Sequence, residues 1–287
     1  MNTERRLRWL ALLTAAVMCA AFAAEERKAE AAPASAALLL TIHDAIGPAT
    51  SSFFLRTLED ANERNAHLVI LELDTPGGLD TAMREMIQAI LASSIPVVIY
   101  VSPSGSRAGG AGTYLLYASH IAAMAPATNL GAATPVQIGM PGSEPDQEPQ
   151  DKRRKGDKKD KKSKDDELKD DPVPQSTLTR KQIHDAAAYM RSLAQLRGRN
   201  AEWGEKAVRE AVSLSAQEAK RIDVIEFVAH DVDDLLKQLN GRKVTVQGVE
   251  RTLQTDGAMI TAIAPDWRTE LLAVITNPSI ALILMII

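Results

Sequence analysis

Two apolar runs, Leu68–Leu73 and Pro96–Val101, each stop at a glycine turn, and each turn opens onto a helical pattern. The first is followed by Asp74-Thr75-Pro76-Gly77-Gly78. After it, Leu79, Ala82, Met83, Met86, Ile87, Ile90 and Leu91 recur at the helical period. The second run enters Ser102-Pro103-Ser104-Gly105-Ser106-Arg107-Ala108-Gly109-Gly110, and a helix is expected from Ala111, with Leu115, Leu116 and Ala118 on its apolar side. Strand, glycine turn and helix, twice in succession, restrict the chain to an α/β fold with a mostly parallel sheet. The two turns then share one edge of that sheet, the edge at which ligands of α/β folds bind. Small residues let a ligand approach backbone N–H groups there, which makes the turns candidates for an oxyanion hole.

The rest of the chain supports one interrupted domain. Leu38–Ile42 starts the sheet, and Gly47–Asn65 reads as an amphipathic helix with Phe54, Leu58 and Ala61 on one face. His120–Ala125 is a further short apolar run. Thr179–Leu196 is a helix that buries Ile183, Ala186, Ala187, Met190, Leu193 and Ala194. At 45% hydrophobic residues the 287-residue chain can build a core, and a net charge of −4 leaves no nucleic-acid footprint.

The ends and the middle differ in character. Residues 1–24 carry Arg5, Arg6 and Arg8 before an apolar run that reaches Ala21-Phe22-Ala23, the pattern of a secretory signal peptide, with an uncleaved anchor as its alternative. Residues 25–36 form a spacer. The single cysteine, Cys19, falls within the signal, so the mature chain has no thiol for disulfides or nucleophilic attack. Between about 140 and 178 lies an insert whose segment 151–171 holds ten basic and eight acidic residues and almost nothing apolar. Such a segment is expected to be disordered. Residues 279–287 end in eight uninterrupted apolar residues, expected to be the start of a transmembrane helix, which needs about 20.

The motifs TPGG, PSGSRAGGAGTY, SHIAAMAP and GAATP together resemble the NfeD-type membrane-bound serine proteases of the Clp-protease/crotonase superfamily. The resemblance runs from Leu38 to Ile287 apart from the insert. It implies a Clp-protease/crotonase-like fold with repeated β-β-α and βα crossovers over residues 37–278. It also implies a Ser–Lys endopeptidase without a cofactor. The domain would face the periplasm or exterior, act on apolar segments of stomatin-like membrane proteins, and assemble as a homo-oligomer, a dimer above all. Membrane attachment would run through the C-terminal segment.

Carried onto this sequence, the resemblance places the oxyanion hole at Gly77, Gly78 and Ala111 and the general base at Lys181, eight residues before Tyr189. A lysine can deprotonate a serine hydroxyl if desolvation lowers its pKa. The family nucleophile, however, falls on Gly110, which has no side chain. Ser102, Ser104, Ser106 and Ser119 are nearby but off the motif position. Asp223 stands where the family's closing turn commonly has glycine, which predicts local strain if its φ is positive. His120, His184 and His230 fit no metal-ligand spacing and read as structural or surface residues.

Two readings follow: a membrane-associated peptidase homologue of Ser–Lys type, and a catalytically dead homologue that binds and scaffolds stomatin-like partners. A crotonase-like acyl-CoA enzyme shares the paired turns but is disfavoured by the export signal.

Overall fold

The computed structural model describes residues 36–136 and 175–265. The expected signal segment, nearly all of the spacer and insert, and the C-terminal apolar run lie outside the described residues. The first half runs β1 (Ala36–Ile42), α1 (Pro48–Glu63), β2 (Leu68–Leu73), α2 (Asp80–Ala92), β3 (Val97–Val101), β4 (Arg107–Gly109), α3 (Ala111–Ala118), β5 (Ile121–Met124) and β6 (Asn129–Gly131). The second half runs α4 (Gln175–Arg197), α5 (Ala201–Arg209), β7 (Ser213–Ser215), α6 (Ala216–Arg221), β8 (Phe227–Val228), α7 (Val232–Leu239), β9 (Lys243–Val246), β10 (Val249–Thr252) and β11 (Met259–Ile263). Two expected boundaries move. Ala36 is already strand rather than spacer, and α4 takes in residues 175–178, which the composition had assigned to the insert.

A six-stranded sheet in the order β11-β1-β2-β3-β5-β8 forms the centre, and every pair in it is parallel. Its central strands β2, β3 and β5 are apolar on both faces, Glu72 aside, because both faces are covered. Val69, Leu71, Leu73, Val97, Ile99 and Val101 point into the larger core beneath α1–α5. Their alternates Leu68, Ile70, Val98 and Tyr100 point to the other side, against Leu235, Leu236 and Leu239 of α7 and Val244 of β9. Each of these side chains is buried, and full burial of one Leu, Ile or Val stabilises by about 1.5–3 kcal/mol.

A smaller sheet, β4-β6-β7, positions the site. β4 pairs with β6 in parallel and β7 runs antiparallel to β6. A bridge between Thr75 and Ala108 ties β4 to the end of β2. The two glycine turns are thereby joined through their backbones. No helix among the described residues is long and apolar enough to cross a membrane.

Candidate functional site

The first turn is held from inside and outside. The Thr75 hydroxyl donates to the Gly77 carbonyl at 2.9 Å and accepts the Gly77 N–H at 3.2 Å. From outside, Ile46 N–H donates to Gly77 O and Leu79 N–H to Ile46 O, both at 2.8 Å. This brings the backbones so close that a Cβ on Gly78 would sit 2.1 Å from Ile46 O, so only glycine fits.

The second turn is pinned to the first. Thr75 N–H donates to Arg107 O at 2.8 Å and Gly109 N–H donates to Thr75 O at 2.9 Å. Gly110 then caps α3 with φ 48° and ψ −113°, a conformation that L side chains rarely adopt. Its N–H is held by Gly131 O at 3.1 Å, and its carbonyl accepts Thr113 N–H at 3.1 Å. The Thr113 hydroxyl lies 2.8 Å from Ala108 O and accepts Gly131 N–H at 3.1 Å, fixing the far side of the turn.

These constraints leave two amides free. Among the described residues neither Gly78 N–H nor Ala111 N–H meets an acceptor. Both residues line a cavity of 480 Å³ together with Gly77 and Gly110. Of the three expected donors, the Gly77 amide is taken up by Thr75, while those of Gly78 and Ala111 meet no acceptor among the described residues. Two N–H groups without acceptors beside one cavity, one of them opening a helix, suit a carbonyl oxygen that gains negative charge.

The cavity walls are apolar on one side and charged on the other. Leu79, Met83, Val136 and Ala186 supply the apolar surface, and Ala132–Pro135 of the GAATP motif supply backbone. Asp80 and Arg84 form the polar rim. Arg84 bonds Asp80 at 2.8 Å and Asp185 at 3.0 Å, and its guanidinium lies 4.5 Å from the centre of the Tyr189 ring. Burial alone would lower its pKa, but the Asp80 hydrogen bond and the charges of Asp80 and Asp185 outweigh it and hold the value above the ordinary one. Tyr114 stacks on Tyr189 at 6.2 Å and donates to Ala133 O at 3.2 Å, and burial pushes its phenol well up.

The expected catalytic residues are distributed unevenly. Gly110 lies in the cavity and carries no hydroxyl. Lys181 is exposed on the first half of α4, outside the cavity lining, four residues before Asp185. None of the nearby serines lines the cavity. Ser102 Oγ donates to Glu72 at 3.0 Å and Ser119 Oγ to Leu116 O at 2.7 Å. Thr134 does line it, but its hydroxyl donates to Val208 O at 2.7 Å. His120 is buried, accepting Val97 N–H on Nδ1 at 3.2 Å. Asp223 does have a positive φ, 58°, which aspartate tolerates better than most residues.

Sequence reasoning missed the Thr75 clamp and the Arg84–Asp185 link. The spacing of Asp80 and Arg84 on one helix was a signal for half of that link. Nothing local pointed to Asp185.

Paired glycine turns at the carboxyl edge of a parallel sheet, both lining one cavity, mark a fold of the Clp-protease/crotonase class. The chain belongs to the NfeD protease family within it. The family model described as NfeD1b, N-terminal domain, matches residues 37–166. The membrane-bound protease PH1510 of Pyrococcus horikoshii is 36% identical over 234 residues, covering 81% of this chain and 46% of that protein. The membrane protein NfeD1b of Bacillus subtilis is 44% identical over 84 residues, 29% of this chain and 18% of its own length. The chain therefore spans less than half of either relative. Among solved structures, a variant of the 1510-N membrane-bound stomatin-specific protease in complex with a substrate peptide has TM-score 0.69 at 34% identity. It is covered over 99% of its length by 85% of this chain. The 1510-N membrane protease specific for a stomatin homolog from Pyrococcus horikoshii follows at TM-score 0.63 and 32% identity, with 99% of it and 85% of this chain covered.

Proposed function

We propose that this chain is a membrane-associated NfeD-type peptidase homologue that binds apolar segments of stomatin-like membrane proteins without forming an acyl-enzyme. The observation that carries this reading is Gly110: the cavity holds two free amides for a carbonyl oxygen and apolar walls for side chains, but position 110 offers no nucleophile. A peptide carbonyl can be bound and polarised there, yet acyl transfer needs an attacking group. The stomatin-like partner and membrane attachment are supported by kinship with the proteases described above, and a homo-oligomer, a dimer above all, is what the family resemblance implies. The resemblance assigns the general base to Lys181, which on an exposed helical turn would have no serine hydroxyl at position 110 to deprotonate.

The alternative is a working Ser–Lys endopeptidase. It is favoured by the family's retained motifs and by α4, which carries Lys181 and is tied to the cavity rim through Asp185 and Arg84. One experiment separates the two. A fluorescent peptide from an apolar segment of a stomatin-like protein is titrated against the unmodified chain, followed for cleavage, and the chain is treated with a fluorophosphonate. Binding without cleavage or labelling is expected, and Gly110→Ser gains both. Cleavage by the unmodified chain that survives Lys181→Ala overturns the reading and places the nucleophile elsewhere, with Ser104 and Ser106 the first to test.

A further inference from the structure

At the amino-terminal ends of β5 and β8, away from the glycine turns, lies a second cavity of 520 Å³. Three elements bring cations to it: Arg197 at the end of α4, Lys220 in α6, and Arg242 with Lys243 in the turn into β9. Phe227 forms part of the lining, with the Lys220 ammonium 5.7 Å and the Arg242 guanidinium 5.0 Å from its ring centre.

The carboxylates there do not balance these charges. Glu226 is engaged twice by Arg199, Nε and Nη2 each at 2.9 Å, and also accepts Ala122 N–H at 2.6 Å. Arg199 is buried and spends its remaining donor on the carbonyls of Leu116, Tyr117 and Ser119. Lys243 is paired with Glu250 at 2.7 Å, and Lys220 donates to the Glu226 carbonyl. Asp223 lines the cavity, but no cation pairs with it among the described residues.

Arg197 and Arg242 are left over. Arg197 uses only Nε, donating to Ala118 O at 2.8 Å, and its two Nη groups have no acceptor among the described residues. Neither Nη is sealed from solvent, so both remain available to a ligand. Arg242 has no ion pair among the described residues. Burial first, then the charge of Arg199, pull the Arg197 pKa down to about 10, with Glu226 offsetting only part. A half-buried guanidinium beside a second arginine gains most from an anion of its own.

We propose that this cavity binds a phosphate group, as a free phosphomonoester or as the headgroup of an anionic lipid. Cations from three directions match a tetrahedral dianion with three or four oxygens better than a flat carboxylate. Two unused guanidinium forks supply the geometry that phosphate recognition favours.

Calorimetric titration of the full chain with inorganic phosphate and with glycerol 3-phosphate, at ionic strength held constant with chloride, tests this. Saturable one-to-one binding is expected, weakened roughly tenfold by Arg242→Gln and by Arg197→Gln. Lys206→Gln, whose ammonium pairs with Glu202 and lies outside the cavity lining, changes affinity by less than about twofold. Arg242 is exposed, so its variant keeps the test decisive if Arg197→Gln fails to fold. Sedimentation with phosphatidylglycerol or phosphatidylcholine vesicles identifies the source. Binding to the former alone, lost in Arg242→Gln and displaced by glycerol 3-phosphate, assigns a lipid headgroup. Soluble binding without such vesicle association assigns a free phosphomonoester. No saturable binding in either arm, or binding that Arg242→Gln leaves unchanged, overturns the proposal.

Discussion

The Cα of Gly77 lies 3.3 Å from where a Cβ on Gly110 would stand. The two turns of the site are thus packed backbone against backbone, and any side chain at 110 must push between them while holding φ 48° and ψ −113°. Removing glycine's conformational freedom alone would make Gly110→Ser slightly stabilising, but the positive φ and the 3.3 Å approach to Gly77 oppose it. Gly110→Ser is expected to cost about 1–3 kcal/mol in urea unfolding. It gains fluorophosphonate labelling at the same time, as a strained turn that aims a hydroxyl into the cavity should.

In that serine background, Lys181→Ala is expected to remove peptidase activity while leaving peptide affinity and thermal midpoint nearly unchanged. The side chain is exposed, with no hydrogen bond or ion pair among the described residues. A drop in affinity equal to the drop in rate would mean that the lysine binds substrate rather than taking a proton.

Gly78→Ala is expected to destabilise by roughly 3 kcal/mol, because the added methyl meets Ile46 backbone atoms at 2.1 and 2.5 Å and backbone cannot step aside cheaply. Denaturant unfolding reads this directly. Peptide binding should fall too, since the free Gly78 amide moves with the turn.

Arg199 is 1% exposed and holds the last carbonyls of α3 as well as Glu226. Arg199→Met should cost about 3 kcal/mol, the low end for breaking a buried pair, because Glu226 is 36% exposed and can rehydrate. Arg199→Lys should recover little of this, since one ammonium cannot replace the two-pronged contact to Glu226 and reach three carbonyls.

His120 supplies a pH dependence. Burial first, then the charges of Arg197 and Arg199, lower its folded pKa to about 3, against about 6.5 in an unfolded chain. Between those values the unfolded state binds the extra proton, so the contribution is fully present above about pH 6.5. It is lost as the pH falls toward 3, at no more than about 1.4 kcal/mol per unit. His120→Gln should flatten the acid limb of a stability–pH profile measured by denaturant unfolding. An unchanged limb would assign it to other groups.

What the sequence determined was local. Leu68–Leu73, broken only by Glu72, and Pro96–Val101 announced buried strands by their apolar character. Met83, Met86, Ile87 and Ile90 announced a helix by their spacing. The start of α3 near Ala111 could be read directly, because turns and periodicity depend on neighbours in the chain; that position 110 lacks a hydroxyl the family carries is what the resemblance implied.

Tertiary structure decided which of those groups can act. An amide is free only when no acceptor reaches it: Thr75 takes the Gly77 amide and Gly131 the Gly110 amide, while those of Gly78 and Ala111 meet none among the described residues. The contact between Arg84 and Asp185 joins residues 101 apart, beyond any local pattern. The pairing of β11 with β1 and the sharing of Arg199 between Glu226 and the end of α3 are likewise products of packing. Even the sign of Gly110→Ser rests there: a sequence shows that glycine is present, but only the surrounding backbone fixes the φ that requires it.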